Sequence, residues 1–185
     1  MNIKPLESLP ELLAAIESFG SAHYGEAVTQ EQHMLQCATL AEREGAPDSL
    51  IVAALLHDIG HSLRVNAVAR PETDFHHEVA GARMLTKLFA ETITTPIQLH
   101  VAAKRYLCAI DRSYFEGLSD ASVHSLELQG GPMTEEQCQR FRNAEYFEEA
   151  IALRRYDDLG KDIGADVPPL QYFVPLMEKM LKSSN

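Results

Sequence analysis

The chain has 185 residues, 45% hydrophobic and 23% charged, enough for one globular domain with a sizeable core and short for two. A formal charge of −11 at pH 7 argues against a general nucleic-acid binder, which needs a basic surface to displace counterions; a small anionic substrate held by a few local cations remains open. No run reaches membrane-span length, the N-terminal MNIKPLESLPELL lacks a signal-peptide pattern, and Cys37, Cys108 and Cys138 form no CxxC pair, so the expectation is a cytoplasmic protein with reduced thiols and no membrane partner.

Helical periodicity runs through nearly every segment and sustained period-two alternation through none, which predicts one all-α domain over residues 1–185. Residues 6–19 are apolar at helical spacing, with Pro10 near the first turn, and a loop with two glycines, GSAHYGEAV, follows at 20–28. Thr29 and Gln32 have capping-box spacing and open a helix to about Glu44, stopped by Gly45-Ala46-Pro47. Asp48 or Ser49 caps the next helix, which carries AALLHD through His57 and Asp58. Beyond a loop at 66–74 with Pro71, a helix is expected over 75–89, starting at His76-His77-Glu78. Thr95 and Pro96 read as a cap and a first-turn proline opening a helix through Ile110. A shorter helix at 119–128 ends at Gly130-Gly131-Pro132; Thr134 and Gln137 form a second capping box and open one or two helices up to Asp162. The tail, 168–182, is amphipathic and interrupted by Pro175.

The chemistry concentrates in AALLHDIGH at 53–61, where His57 and Asp58 adjoin at the end of an apolar run and His61 follows His57 by four. Desolvating a carboxylate costs several kcal/mol or more unless a cation or hydrogen bonds compensate it. A metal ion takes imidazole nitrogen and carboxylate oxygen together. Successive helices each offer a possible ligand: His33, then His57 and Asp58, then His77, His100 and Asp157. Side chains from facing helices can converge on a metal in an all-α core. This set exceeds what a mononuclear zinc requires and suits two metals a few Å apart with a carboxylate to bridge them. Imidazole and carboxylate donors favour iron, with manganese or zinc possible, and no cysteine joins them.

The order H…HD…H…H…D resembles the HD-domain superfamily in its six-ligand dinuclear form, over Gly25 to Lys161. The HxxxG pattern (HEVAG) selects His77 over His76, and lysine four residues on (YDDLGK) selects Asp157 over Asp158. By that resemblance Asp58 bridges two metals, His33, His57 and Asp157 hold one, and His77 and His100 hold the other. GEAVTQEQHMLQ at 25–36, SLELQGGPM at 125–133 and LRRYDDLGK at 153–161 resemble the phosphonate-cleaving di-iron oxygenases of the superfamily. The resemblance implies an HD-domain helical bundle with a dinuclear core site. It also implies a mixed-valent Fe(II)/Fe(III) pair and O₂-dependent cleavage of a C–P bond in a hydroxylated aminoethylphosphonate. A monomer or weak homo-oligomer acting on a small organophosphonate is expected. The competing reading is an HD-domain phosphohydrolase acting on a nucleotide or small phosphoester.

A phosphonate needs cations and donors. Lys104 follows His100 by four, and Arg154 and Lys161 flank Asp157 at −3 and +4, spacings that put each on a ligand's helix face. His61 and Lys104 are expected to touch the reacting substrate, and Ser122, Ser125 and Gln129 to add donors. In the characterised aminohydroxyethylphosphonate oxygenases a tyrosine stands three residues before the loop glutamate. Here Glu26 is that glutamate, His23 stands three before it and Tyr24 is shifted by one. A changed amine pocket of Tyr24, Glu26 and Tyr106 or Tyr172 would suit a trimethylammonio substrate, since a quaternary ammonium is best met by aromatic faces and a carboxylate.

Overall fold

Residues 50–56 are buried without exception. A helix apolar on every side has no solvent face and has to run through the interior. In the computed structural model, which describes residues 3–23, 26–64 and 75–183, that helix is the axis of the fold. In chain order the described helices are α1 (Leu9–Phe19), α2 (Gln30–Arg43), α3 (Asp48–Leu56), α4 (His77–Leu85), α5 (Glu91–Ile110), α6 (Arg112–Glu116), α7 (Asp120–Leu128), α8 (Glu135–Arg142), α9 (Phe147–Leu159) and α10 (Leu170–Met180). A 3₁₀ segment, Ile59–Arg64, follows α3, and no strand occurs among the described residues.

The axis α3 packs against α2, α5, α9 and α10, while α4 lies along α5 and α1 along α2 and the 3₁₀ segment. The main core draws on Leu12, Phe19, Met34, Leu55, Ile97 and Phe173 among others, so nearly the whole length of the chain contributes to it. A second cluster joins α5, α8 and α9, where the rings of Tyr106, Phe141 and Phe147 lie 5.2 to 5.5 Å apart.

Both capping boxes form as their spacing predicts, at Thr29 with Gln32 and at Thr134 with Gln137. Other boundaries differ. The first helix starts at Leu9, capped by Ser8, rather than at residue 6. The ring of Pro10 would clash with the carbonyl four residues earlier if the helix extended back. Pro47, not Asp48 or Ser49, takes the cap position of α3. Pro96 does not open α5; it lies within it, and the helix begins at Glu91. The carbonyl that Pro96 leaves without a partner belongs to exposed Thr92, where water can satisfy it, while Ile93 and Ile97 anchor the turn in the core. Pro175 likewise sits inside α10, opposite exposed Gln171. The fourth helix ends at Leu85, and Phe89 instead makes a bridge with Leu181.

Candidate functional site

The axial helix ends at Leu56, delivering His57 and Asp58 to the centre of the bundle at its C-terminal turn. His61 therefore follows on the 3₁₀ segment rather than one turn further along the same helix. Gly60 and Gly81 explain how α4 reaches this turn. A Cβ on Gly60 would lie 2.1 Å from the His77 carbonyl oxygen and 2.9 Å from the Gly81 nitrogen. The two backbones touch, and that contact sets His77 beside Asp58, with the Nε2 of His77 3.5 Å from Asp58 Oδ1. His76, in the left-handed region at φ 54°, is exposed.

The imidazoles meet in two pairs. His33 Nε2 lies 3.2 Å from His57 Nε2, and His77 Nε2 lies 3.1 Å from His100 Nε2. Backbone carbonyls orient three of the rings: His33 Nδ1 donates to Gly160 O at 2.9 Å, His57 Nδ1 to Ala54 O at 2.9 Å and His100 Nδ1 to Ile97 O at 2.7 Å. Such bonds fix the tautomer that leaves Nε2 free to coordinate. Asp58 lies between the pairs, 3.8 Å from His33 Nε2 through Oδ2 and 3.6 Å from His57 Nε2 through Oδ1. Asp157 faces the first pair only, its Oδ1 3.4 Å from His33 Nε2 and 3.9 Å from His57 Nε2.

These donors fit a metal. With both Nδ1–H groups of the first pair taken by carbonyls, two Nε2 lone pairs point at one another, and only a shared cation or proton reconciles them. Burial works against a charge on His33, yet Cys37 and Asp157 push its pKa well above the usual imidazole range, the direction of a site that favours positive charge. Burial, with His57 beside it, lowers His100 to about 4, leaving a neutral ring. Burial also disfavours the Asp58 carboxylate, but His57, His61 and His77 outweigh it and hold Asp58 below the usual range. Cys37 lies 3.8 Å from the His33 nitrogens and donates to Tyr156 O at 3.3 Å.

Around the cluster stand the cations. Lys104, 2% exposed, donates to Ser125 Oγ at 2.7 Å, and burial beside Arg154 lowers its pKa to about 7. Lys161 donates to Glu26 Oε1 at 2.7 Å, Ser122 Oγ at 3.0 Å and Ser119 Oγ at 3.3 Å, tying the loop before α2 to α7. Gln129 Oε1 is buried without a hydrogen-bond partner among the described residues. The ring of His61 stacks on that of His77 with centroids 4.3 Å apart, and its Nε2 lies 3.8 Å from Asp58 Oδ1. Arg154 bonds two carboxylates: Nη1 donates to Asp157 Oδ2 at 2.7 Å, and Nε and Nη2 donate to Asp158. Tyr24 lies outside the described residues. Tyr106 packs in the second core bonded to Arg142, and Tyr172 bonds Glu42 from α10, so neither is placed at an amine pocket by its contacts.

A protein-family model described as the HD domain matches residues 31–157, the span that carries every side chain of the cluster. The chain belongs to the HD-domain family. It is 45% identical over 161 residues to a glycine-betaine-forming 1-hydroxy-2-(trimethylamino)ethylphosphonate dioxygenase of Leisingera caerulea, across 86% of this chain and 82% of that one. It is 42% identical over 183 residues to a hydroxymethylphosphonate dioxygenase of Gimesia maris, across 97% and 91%. An uncharacterized protein of Acanthamoeba polyphaga mimivirus is 34% identical over 185 residues, across 97% and 84%. These relatives place the chain in the phosphonate-oxygenase branch of the HD family. Family and donor cluster together imply a bound metal. No helix among the described residues is long and apolar enough to cross a membrane.

Sequence spacing did not mark Gln36, Ser119 or Tyr114. Gln36 exchanges two hydrogen bonds with the Asp162 backbone, at 3.0 and 2.9 Å, and so pins the segment that offers the Gly160 carbonyl to His33. Its position three after His33 on one helix face was the available signal. Ser119 reads from sequence as a helix start and is indeed the N-cap of α7; its hydroxyl also donates to Glu26 Oε1 at 2.8 Å. The sixth helix, with Tyr114, was not predicted.

Proposed function

We propose that the chain is an O₂-dependent di-iron oxygenase cleaving the C–P bond of a 1-hydroxy-2-aminoethylphosphonate. The trimethylammonio compound is the leading substrate, giving glycine betaine and phosphate; the primary amine, giving glycine and phosphate, is next. The reading is carried by two imidazole pairs sharing one carboxylate, in a chain whose relatives at 45% and 42% identity are named phosphonate dioxygenases. In this reading His33, His57 and Asp157 would hold one metal and His77 and His100 the other, with Asp58 available to both. Iron suits an all-imidazole and carboxylate set, since the Cys37 thiol is engaged by Tyr156 O. When bound, an Fe(II)/Fe(III) pair supplies O₂ binding and the redox chemistry.

The chain's own residues do the rest. An ammonium carries three donors, and Lys104 uses one on Ser125, so it can neutralise a phosphonate oxygen beside the cluster. Ser122 and Ser125 line the same face of α7, and Gln129 adds a buried amide that a bound ligand would satisfy. His61, 3.8 Å from Asp58 Oδ1 with 22% of its side chain exposed, would touch the substrate hydroxyl and hold its proton. The Glu26–Lys161 pair holds the loop before α2 against α7, and the aromatic face for a quaternary ammonium is assigned from sequence to Tyr24.

The reaction balances as one hydroxyphosphonate plus one O₂ giving one carboxylate and one phosphate. Aerobic turnover of hydroxylated aminoethylphosphonates, with and without N-methylation, should consume O₂ and release phosphate in equal amounts. Phosphate release that survives strict removal of O₂ would instead make the chain a phosphohydrolase. Steady-state kinetics that prefer the primary amine by a large factor would remove the trimethylammonio assignment.

A further inference from the structure

The Asp157 carboxylate is divided. Its Oδ1 faces the first imidazole pair, 3.4 Å from His33 Nε2, while its Oδ2 accepts from Arg154 Nη1 at 2.7 Å. What keeps the guanidinium from taking both oxygens is visible on its other edge. Asp158 Oδ1 accepts from Nη2, and Asp158 Oδ2 accepts from Nε at 3.1 Å. Tyr114 closes the arrangement: its hydroxyl accepts from Arg154 Nε at 2.9 Å and donates to Asp158 Oδ2 at 2.5 Å. That ring is fixed in turn by Asp111, whose carboxylate caps the start of α6 through the Ser113 and Tyr114 N–H groups at 2.9 and 3.2 Å. Burial pushes the Tyr114 hydroxyl far above its ordinary range, so it stays a donor at any working pH.

We propose that Tyr114 and Asp158 are positioning residues that hold Arg154 by its Nε–Nη2 edge, so that Asp157 keeps one oxygen for the metal at His33 and His57. A guanidinium and a carboxylate prefer a two-bond fork. Asp158 and Tyr114 hold the Nε–Nη2 edge and so fix the direction of the guanidinium, which meets Asp157 through Nη1 alone and cannot turn its Nε–Nη2 edge onto that carboxylate. In this arrangement Arg154 acts on the metal site through Asp157. The inference rests on the metal-centre reading above and not on the substrate or on oxygen chemistry.

The test is metal binding by Tyr114→Phe and Asp158→Asn. Metal-stripped protein is titrated with Mn(II) or Fe(II) against a competing chelator, and melting of the metal-free protein is followed by circular dichroism. In Asp158→Asn the guanidinium is free to fork onto Asp157, and one metal equivalent should weaken by about 10- to 100-fold, the usual effect of losing a partner of a ligand. Tyr114→Phe should weaken the same equivalent several-fold, and the other equivalent should hold in both. Phosphonate affinity of fully loaded Tyr114→Phe should stay within twofold of the parent. The proposal is overturned if both variants bind two equivalents as tightly as the parent, or if Tyr114→Phe weakens phosphonate binding and leaves the metals unchanged. A failure of the oxygenase reading would show as absent O₂ uptake by the parent, with the metal titrations unaffected.

Discussion

Replacing Gly60 by alanine probes the contact that brings α4 to the cluster. The added Cβ would stand 2.1 Å from the His77 carbonyl oxygen and 2.9 Å from both the His77 carbonyl carbon and the Gly81 nitrogen. All three obstacles are backbone, so no side chain can swing aside, and the two segments have to part by more than 1 Å. Inserting a methyl into a packed interior typically costs about 1–3 kcal/mol, and a backbone-to-backbone clash belongs at the upper end or beyond. For a domain of this size each kcal/mol lowers the melting temperature by roughly 2–4 °C, so about 3 kcal/mol predicts a fall of roughly 6–12 °C in the metal-free protein. The same separation carries His77 away from Asp58, now 3.5 Å apart, and the metal equivalent that depends on His77 and His100 should be lost. Gly81→Ala is the graded comparison. Its Cβ would meet the Gly60 nitrogen and Ile59 Cγ2 at 3.1 Å, close enough for small shifts to relieve, and about 1 kcal/mol is expected. Thermal melts with metal analysis decide the matter. A Gly60→Ala protein that melts within 2 °C or so of the parent and keeps both equivalents would refute the reasoning, as would Gly81→Ala proving the more damaging of the two.

Asp58→Ala should abolish binding of both metal equivalents, because it alone lies between the two imidazole pairs, whereas His77→Ala should abolish one; metal analysis after chelator dialysis separates the cases. Lys104 gives a pH dependence. Its pKa is lowered to about 7 by burial and Arg154, so the ammonium that binds an anion is lost as pH rises through that value. Affinity for a non-reactive alkylphosphonate should therefore fall by up to about tenfold between pH 8 and 9. Lys104→Met should bind weakly with a flat profile over that range, and an unchanged profile in the variant would exonerate the lysine. Gln36→Leu removes both bonds to the Asp162 backbone and should cost about 1–3 kcal/mol in thermal stability. It should also weaken the metal equivalent at His33, whose ring then loses a fixed Gly160 carbonyl.

What was legible in the sequence followed from how local the cause was. The axis helix was legible because residues 50–56 are apolar on every face, which leaves one place for them and forces His57 and Asp58 to the centre. Both capping boxes were legible because the reciprocal bonds span three residues. Thr95-Pro96 misled because proline tolerates a first turn as well as an exposed carbonyl four residues back. Which of the two occurs depends on Ile93 and Ile97 reaching the core, a tertiary fact. The site divides in the same way. Helical spacing put Arg154 on the face of Asp157 and left open where its guanidinium would donate. That direction is set by Tyr114, 40 residues away on a five-residue helix whose only local mark is the Asp111 cap. A cation spaced one turn from a ligand therefore has two possible employers, the substrate and the ligand itself. Lys104 is bonded to a serine hydroxyl and, among the described residues, to no carboxylate, whereas Arg154 is bonded to both Asp157 and Asp158 and acts on the ligand's own carboxylate with two N–H groups to spare.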